Sequence, residues 1–170
     1  VSRSPWLAGI LVLTGAFAFA SCDDSPESLT APSSIASATP IAAELRAALE
    51  RSIQDEYRAE TIYQGVVADF GALTPFVNVI GAEQRHSSAI ALMFTRRSLP
   101  VPANAWTLTT VPHFTTVPSA CAAAAVAERE NIALYDELLR LELPSDVRQV
   151  FESNRNASLV AHLPAFERCS

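Results

Sequence analysis

Residues 74–97 read TPFVNVIGAEQRHSSAIALMFTRR, and their apolar side chains recur in steps of three and four: Phe76, Ile80, Ile90 and Phe94. That spacing is the stripe of an amphipathic helix that turns one face to a core. Thr74 and Pro75 suit its N-cap and first turn. Glu83 and His86 (or Ser87 at the same turn) fall on the stripe although they are not apolar, and Arg97 closes it. Glu83 and His86 are three residues apart, so both project from one face toward a shared point. A carboxylate facing a core is costly unless it is paired or coordinates a metal.

The same pattern recurs on either side. From Ile41 to Phe70 the stripe runs Leu45, Leu49, Ile53, Glu56, Glu60, Tyr63, Val67 and Phe70, and Gly71 is placed to end it. A third window begins at Pro118 and Ser119 and continues to about Glu142, with the stripe Cys121, Ala124, Glu128, Ile132, Tyr135, Leu138 and Glu142. A fourth begins after Pro144, with Ser145 or Asp146 as cap, and carries Val147, Phe151, Asn154, Ser158, His162, Phe166 and Cys169. Between the second and third windows, residues 98–118 hold Pro100, Pro102, Pro112 and Pro118 and no helical period. Segments of that length are longer than ordinary connections in a compact domain. The connections are short, long, short, which predicts two antiparallel hairpins joined by one crossover between helices two and three. The fold class expected is all-α, an up-down four-helix bundle. Composition agrees: the chain has 29 alanines and 5 glycines in 170 residues.

The N-terminal part is of another kind. Trp6 to Ala20 is an apolar run of fifteen residues preceded by Arg3, shorter than the ~20 residues that cross a bilayer as a helix. It reads as a secretory signal over residues 1–21. Its end, Phe19-Ala20-Ser21-Cys22, resembles the lipobox of bacterial lipoproteins, with Phe19 where that motif favours Leu. The resemblance implies lipid on Cys22, and a membrane as partner through that anchor. Residues 22–40 are rich in Ser, Pro, Ala and Thr and read as a flexible tether. The helical domain is expected over 41–170. Such a protein would be exported, a periplasmic or cell-surface lipoprotein.

The net charge is −6, all twelve basic residues are arginine, and no basic run is present. No nucleic-acid partner is expected from such a chain. The acidic and imidazole groups on the stripes carry the functional reading. Glu56, Glu60, Glu83 and Glu128 are four carboxylates expected to face inward, and only His86 and His162 accompany them. Two imidazoles cannot balance four carboxylates, whereas divalent or trivalent cations can. In bundle cores a Glu from each of two helices, with Glu-x-x-His from the other two, builds a di-iron or di-manganese site. A weak internal echo supports two related hairpins: Glu56 precedes Tyr63 by seven residues, and Glu128 precedes Tyr135 by seven.

Glu56 to Tyr63 (EYRAETIY) and Phe76 to His86 (FVNVIGAEQRH) resemble the first half of a rubrerythrin-type ferritin-like domain, and Ala127 to Ile132 (AERENI) and His162 to Phe166 (HLPAF) resemble the second half of a related family. They are more closely similar to a bacterial and archaeal ferritin-like family of unknown function with the pattern E-x6-Y, F-x-N-I and A-E-Q-x-H. The resemblance spans about residues 45–168. It implies Glu56, Glu83, His86, Glu128 and His162 as metal ligands, with Tyr63 and Tyr135 beside them, and one or two ions of iron or manganese. One departure stands out. The full di-iron pattern has Glu three residues before the second His, and here Leu159 precedes His162. Glu60, one turn from Glu56, is the candidate to compensate.

Cys121 opens helix three and Cys169 closes helix four, ends that meet in an antiparallel hairpin. A disulfide is expected between them, since such bonds persist outside the cytoplasm. Closing that loop would stabilise the domain by roughly 3–4 kcal/mol. His113 lies in the Pro-rich connection and is expected at the surface. If iron is held with an open position, reduction of O2 or peroxide is the oxidoreductase chemistry such sites permit. No rubredoxin-like cysteine pairs are present to deliver electrons. The alternatives are a non-catalytic interaction or structural module with an incomplete site, and a metal buffer. No catalytic residue is identified at this level.

Overall fold

The computed structural model describes residues 40–169, so the expected signal segment, the expected tether before Pro40 and Cys22 lie outside the described residues. Four helical rods account for the fold, and no strand occurs among the described residues. They are α1 (Pro40–Phe70), α2 (Phe76–Thr95), α3 (Val117–Leu138), and a fourth rod made of α4 (Ser145–Ala157), a π-helical turn (Ser158–His162) and α5 (Leu163–Glu167). None of the described helices is long and apolar enough to cross a membrane.

The core divides into two apolar clusters, and every rod passes from one to the other. Leu49 and Ile53 of α1, Ile90 and Phe94 of α2, Tyr135 and Leu138 of α3, and Val147 and Phe151 of α4 make one cluster. Tyr63 and Val66 of α1, Phe76 and Val79 of α2, Cys121 and Ala124 of α3, and Phe166 of α5 make the other. Chain order through the clusters therefore sets direction. The first and fourth rods run one way, α2 and α3 the other. Between the clusters lie most of the residues that are polar yet buried, among them Glu56, Glu83, Glu128, Asn131, Asn154, Ser158 and His162.

Because α2 and α3 run the same way, residues 96–116 return along the length of the bundle. They do so laid against α1. Gln54 donates from Nε2 to the Ala103 carbonyl at 2.7 Å and accepts from the Ala105 N–H at 3.1 Å. The Trp106 indole donates to the Gln54 carbonyl at 3.1 Å, Asn104 donates to Thr61 at 3.2 Å, and His113 pairs with Asp69 at 2.7 Å. A Pro-rich segment has few backbone donors of its own to satisfy; α1 serves one of them, the Ala105 N–H, and others are met within the segment, as where Asn104 accepts from the Trp106 N–H at 2.8 Å.

The helix ends depart from several expectations. Gly71 ends α1 in the left-handed region at φ 88°, as its lack of Cβ permits. Thr74 does not cap α2: Pro75 occupies the N-cap position with no side-chain hydrogen bond. Thr116 caps α3, accepting from the Ser119 N–H while the Ser119 hydroxyl reaches back, and Pro118 sits in the first turn. That helix stops at Leu138 rather than near Glu142. Neither Ser145 nor Asp146 is the N-cap of α4, a position held by Pro144. At the end of α2, Ser98 lies at φ 54°, and the Leu99 and Ser98 N–H groups bond the Phe94 and Thr95 carbonyls at 3.0 Å each. That is a Schellman closure with serine where glycine is the usual residue.

The π turn has a local cause. Pro164 has no N–H to offer the Val160 carbonyl, and its ring would crowd that carbonyl in an α-helix. The chain widens instead, and the Leu163 N–H bonds Ser158, five residues back.

Candidate metal centre

Each rod brings one or more polar side chains into the layer between the clusters. Glu56 is fully buried, Glu83 is 1% exposed, Glu128 2% and His162 5%. Two groups of three potential ligands form there, Glu56–Glu83–His86 and Glu83–Glu128–His162, each with its ligand atoms within 4.8 Å of one another. Glu83 belongs to both. Its Oε2 meets His86 Nδ1 at 2.9 Å, and its Oε1 lies 3.1 Å from His162 Nδ1. The two imidazole rings stack with centroids 5.4 Å apart.

The outer carboxylates are arranged alike around Glu83. Glu56 faces His86 Nδ1 at 3.1 Å through one oxygen and accepts the Tyr135 hydroxyl on the other. Glu128 lies 3.4 Å from His162 Nδ1 through one oxygen and accepts the Tyr63 hydroxyl at 2.6 Å on the other. Each tyrosine thus crosses from one hairpin to hold the carboxylate of the other. The seven-residue echo between Glu56–Tyr63 and Glu128–Tyr135 corresponds to this exchange.

The electrostatics follow from burial and proximity. Burial, and then the neighbouring Glu83 charge, push the Glu56 carboxyl up to about 7. Burial also works against ionised Glu83, but the facing His162 and His86 imidazoles outweigh it and hold that carboxyl below its ordinary value. Burial disfavours both imidazolium ions, yet the facing carboxylates prevail: Glu56 and Glu83 raise His86 to about 9, and Glu128 and Glu83 raise His162 to about 10. Burial first, and the adjacent glutamates second, push Tyr63 and Tyr135 well above the usual phenol value, so both remain neutral donors.

His162 Nδ1 is buried and makes no hydrogen bond. Its two carboxylate neighbours are near enough to attract its charge but are not aligned to accept a proton. A buried, unbonded nitrogen is costly in a finished polar network. It suits a donor set in which a cation takes the proton's place. Three carboxylates and two imidazoles converging on one layer fit hard or borderline cations, iron, manganese and zinc among them.

Of the residues singled out from sequence, Glu56, Glu83, His86, Glu128 and His162 come together, with Tyr63 and Tyr135 bonded to them. Glu60 does not join them. It lies at the rim between α1 and α2, where its Oε1 accepts from Gln64 at 2.8 Å and from Gln84 at 2.9 Å. Leu159 is 40% exposed, and Ser158 is the neighbour that faces inward. Asn131, not Ile132, holds the inward place on α3. Its amide donates to Asp55 at 2.9 Å and to Glu56 Oε1 at 3.3 Å, and its carbonyl accepts from Ser158 at 2.9 Å. Asn154 donates to the Tyr135 oxygen at 3.1 Å. Asn131 stands three after Glu128, the same helical step that links Glu83 to His86, and that step was the available signal. Asp55 carries no such mark.

Cys121 and Cys169 form a disulfide with Cα atoms 5.6 Å apart, tying the start of α3 to the end of the fourth rod. His113 is exposed.

No protein-family model matches the chain, and no curated protein does. Among solved structures, the chain is similar to a conserved hypothetical protein, Rv2844, from Mycobacterium tuberculosis, with a TM-score of 0.64 at 15% identity over 75% of this chain and 91% of that one. At that identity the likeness is one of fold alone.

Proposed function

We propose that this chain is a ferritin-like metal-binding domain whose centre holds up to two iron or manganese ions. Glu83 would lie between the ions, with Glu56 and His86 on one side and Glu128 and His162 on the other. The observation that carries this reading is the pair of three-ligand groups sharing Glu83 in a layer where His162 Nδ1 is buried without a hydrogen bond. The direction of the rods and the return of residues 96–116 along α1 are what a ferritin-like bundle with one crossover requires.

Bound iron or manganese would supply redox chemistry toward O2 or peroxide. The chain's own residues set the conditions for it. Tyr63 and Tyr135 each fix one oxygen of an outer glutamate and leave the other turned to the centre. The two apolar clusters close the layer from both ends. The notion of an exported lipoprotein, anchored through Cys22 to a membrane, belongs to the same proposal and is supported by the sequence of residues 1–40.

A second reading is a non-catalytic module or metal buffer on the same fold. The fourth rod favours it, since the inward position before His162 is Ser158 and Leu159 points outward, so neither supplies a second carboxylate between the ions. Elemental analysis of purified protein separates the readings. Wild type should carry iron or manganese, and Glu83→Ala should carry none. Bound metal without consumption of O2 or peroxide would select the buffer. Wild type free of metal after incubation with both ions would select the module.

A further inference from the structure

The two halves of the centre are alike in their ligands but not in how those ligands are already engaged. His86 Nδ1 is hydrogen-bonded to Glu56 at 3.1 Å and to Glu83 at 2.9 Å. His162 Nδ1 is bonded to nothing, although its side chain is only 6% exposed. The outer carboxylates differ in the same sense. Glu128 accepts from Tyr63, whereas Glu56 accepts from both Tyr135 and Asn131.

The added donor has a structural origin. Exchange of the hairpins places Glu56 against Glu128 and Tyr63 against Tyr135, and the residue matching Asn131 is then Ala59 on α1. Alanine has no donor to offer Glu128. The Asn131 amide is itself held in orientation, because its carbonyl oxygen accepts from Ser158 while its NH2 group spans Asp55 and Glu56. Ser158 faces inward through the π turn that Pro164 imposes. One half of the layer is thus clamped, and the other carries an unbonded ligand atom.

Resting on the metal-binding reading above, we propose that the centre fills in a fixed order, with the Glu83–Glu128–His162 half first, and that the Ser158–Asn131 clamp on Glu56 is what delays the other half. An ion entering at His162 displaces no hydrogen bond from Nδ1. An ion entering at His86 must displace the one Nδ1 proton that Glu56 and Glu83 share, and it meets Glu56 only through Oε2, because Tyr135 and Asn131 both hold Oε1. A hydrogen bond to a charged group is worth about 1.5–3 kcal/mol. The clamp therefore separates the two affinities by about tenfold or more.

The test follows the imidazoles of the full chain labelled with 15N-histidine as Zn(II), a diamagnetic probe, is added. The first equivalent should shift the His162 ring signals while those of His86 stay in place, and the second should move His86. Asn131→Ala should bring the second step about tenfold closer to the first. His86→Ala, with its helicity checked by circular dichroism, should retain the tighter step and lose the weaker. Simultaneous shifts in wild type, or His86 moving first, would overturn the order while leaving the metal site intact. No shift of either ring would overturn the order and the metal reading together.

Discussion

Ser158 and His162 share the inward face of the fourth rod although they are four residues apart, while Leu159, three before His162, points outward. The π turn accounts for this. A wider turn moves the inward position from three to four residues before the histidine. On the other hairpin, where α2 is regular, Glu83 and His86 keep the step of three. Leu159→Glu should therefore fail to complete the centre. Its expected effects are unchanged metal stoichiometry and a stability change within about 0.5 kcal/mol, as for a surface site. Ser158→Glu, by contrast, should alter both metal binding and stability. Metal analysis and thermal melts of the two variants check the register; an increase in bound metal in Leu159→Glu would contradict it.

The metal-free protein should lose stability as pH rises. His86 and His162 have folded values of about 9 and 10 against 6.5 for the free side chain. Their contribution is fully present below pH 6.5 and is lost as pH passes through 9 and 10. Glu56, raised to about 7 from 4.5, acts in the same direction, since the fold binds its proton more tightly than the unfolded chain does. Stability from Glu56 is greatest below pH 4.5 and falls toward pH 7. Glu83, held below its ordinary value, opposes this only in acid. Melting in chelator should thus show Tm falling between about pH 5 and 10, and Mn(II) should restore Tm most at the alkaline end, where fewer protons compete for the ligands. A metal-free Tm that climbs over that range would contradict the electrostatic assignment.

How far the sequence could be read depends on which physical signal each feature leaves. Apolar spacing predicts four helices, and the windows around Leu49, Ile90, Tyr135 and Phe151 are helical in the structure. The Glu83–His86 step and the placement of Cys121 and Cys169 also leave direct marks. Glu60 shows the limit of periodicity. Glu56 and Glu60 are one turn apart on a broad stripe, and only packing against α2 puts Glu60 at the rim beside Gln84. The outward turn of Leu159 was not legible either, because periodicity assumes a regular helix and Pro164 breaks that assumption two residues after His162. Asp55 and Asn131 meet across two helices, a contact no local pattern encodes.

Ser98 is a serine in the left-handed region at an exposed position. A Cβ there costs roughly 1–2 kcal/mol, and glycine does not bear it. Ser98→Gly should raise stability by about 1 kcal/mol, read as an increase in denaturant midpoint with an unchanged slope. A lower midpoint would contradict the reading of this closure.

The disulfide closes a loop with a sequence separation of 48. Replacing Cys121 and Cys169 together by serine should cost about 3–4 kcal/mol, because the unfolded chain regains the entropy that the bond removes. Chemical denaturation of the double variant against wild type, under oxidising conditions, measures it. Equal stability would mean that the bond adds nothing to the fold.

The central claim is that Glu83 stands between two cations, and anomalous diffraction from crystals grown with Mn(II) tests it most directly. The account predicts manganese peaks on both sides of the Glu83 carboxylate, one shared with Glu128 and His162 and one with Glu56 and His86. Peaks elsewhere on the molecule, or a layer without manganese in which the histidines keep their carboxylate partners, would contradict it.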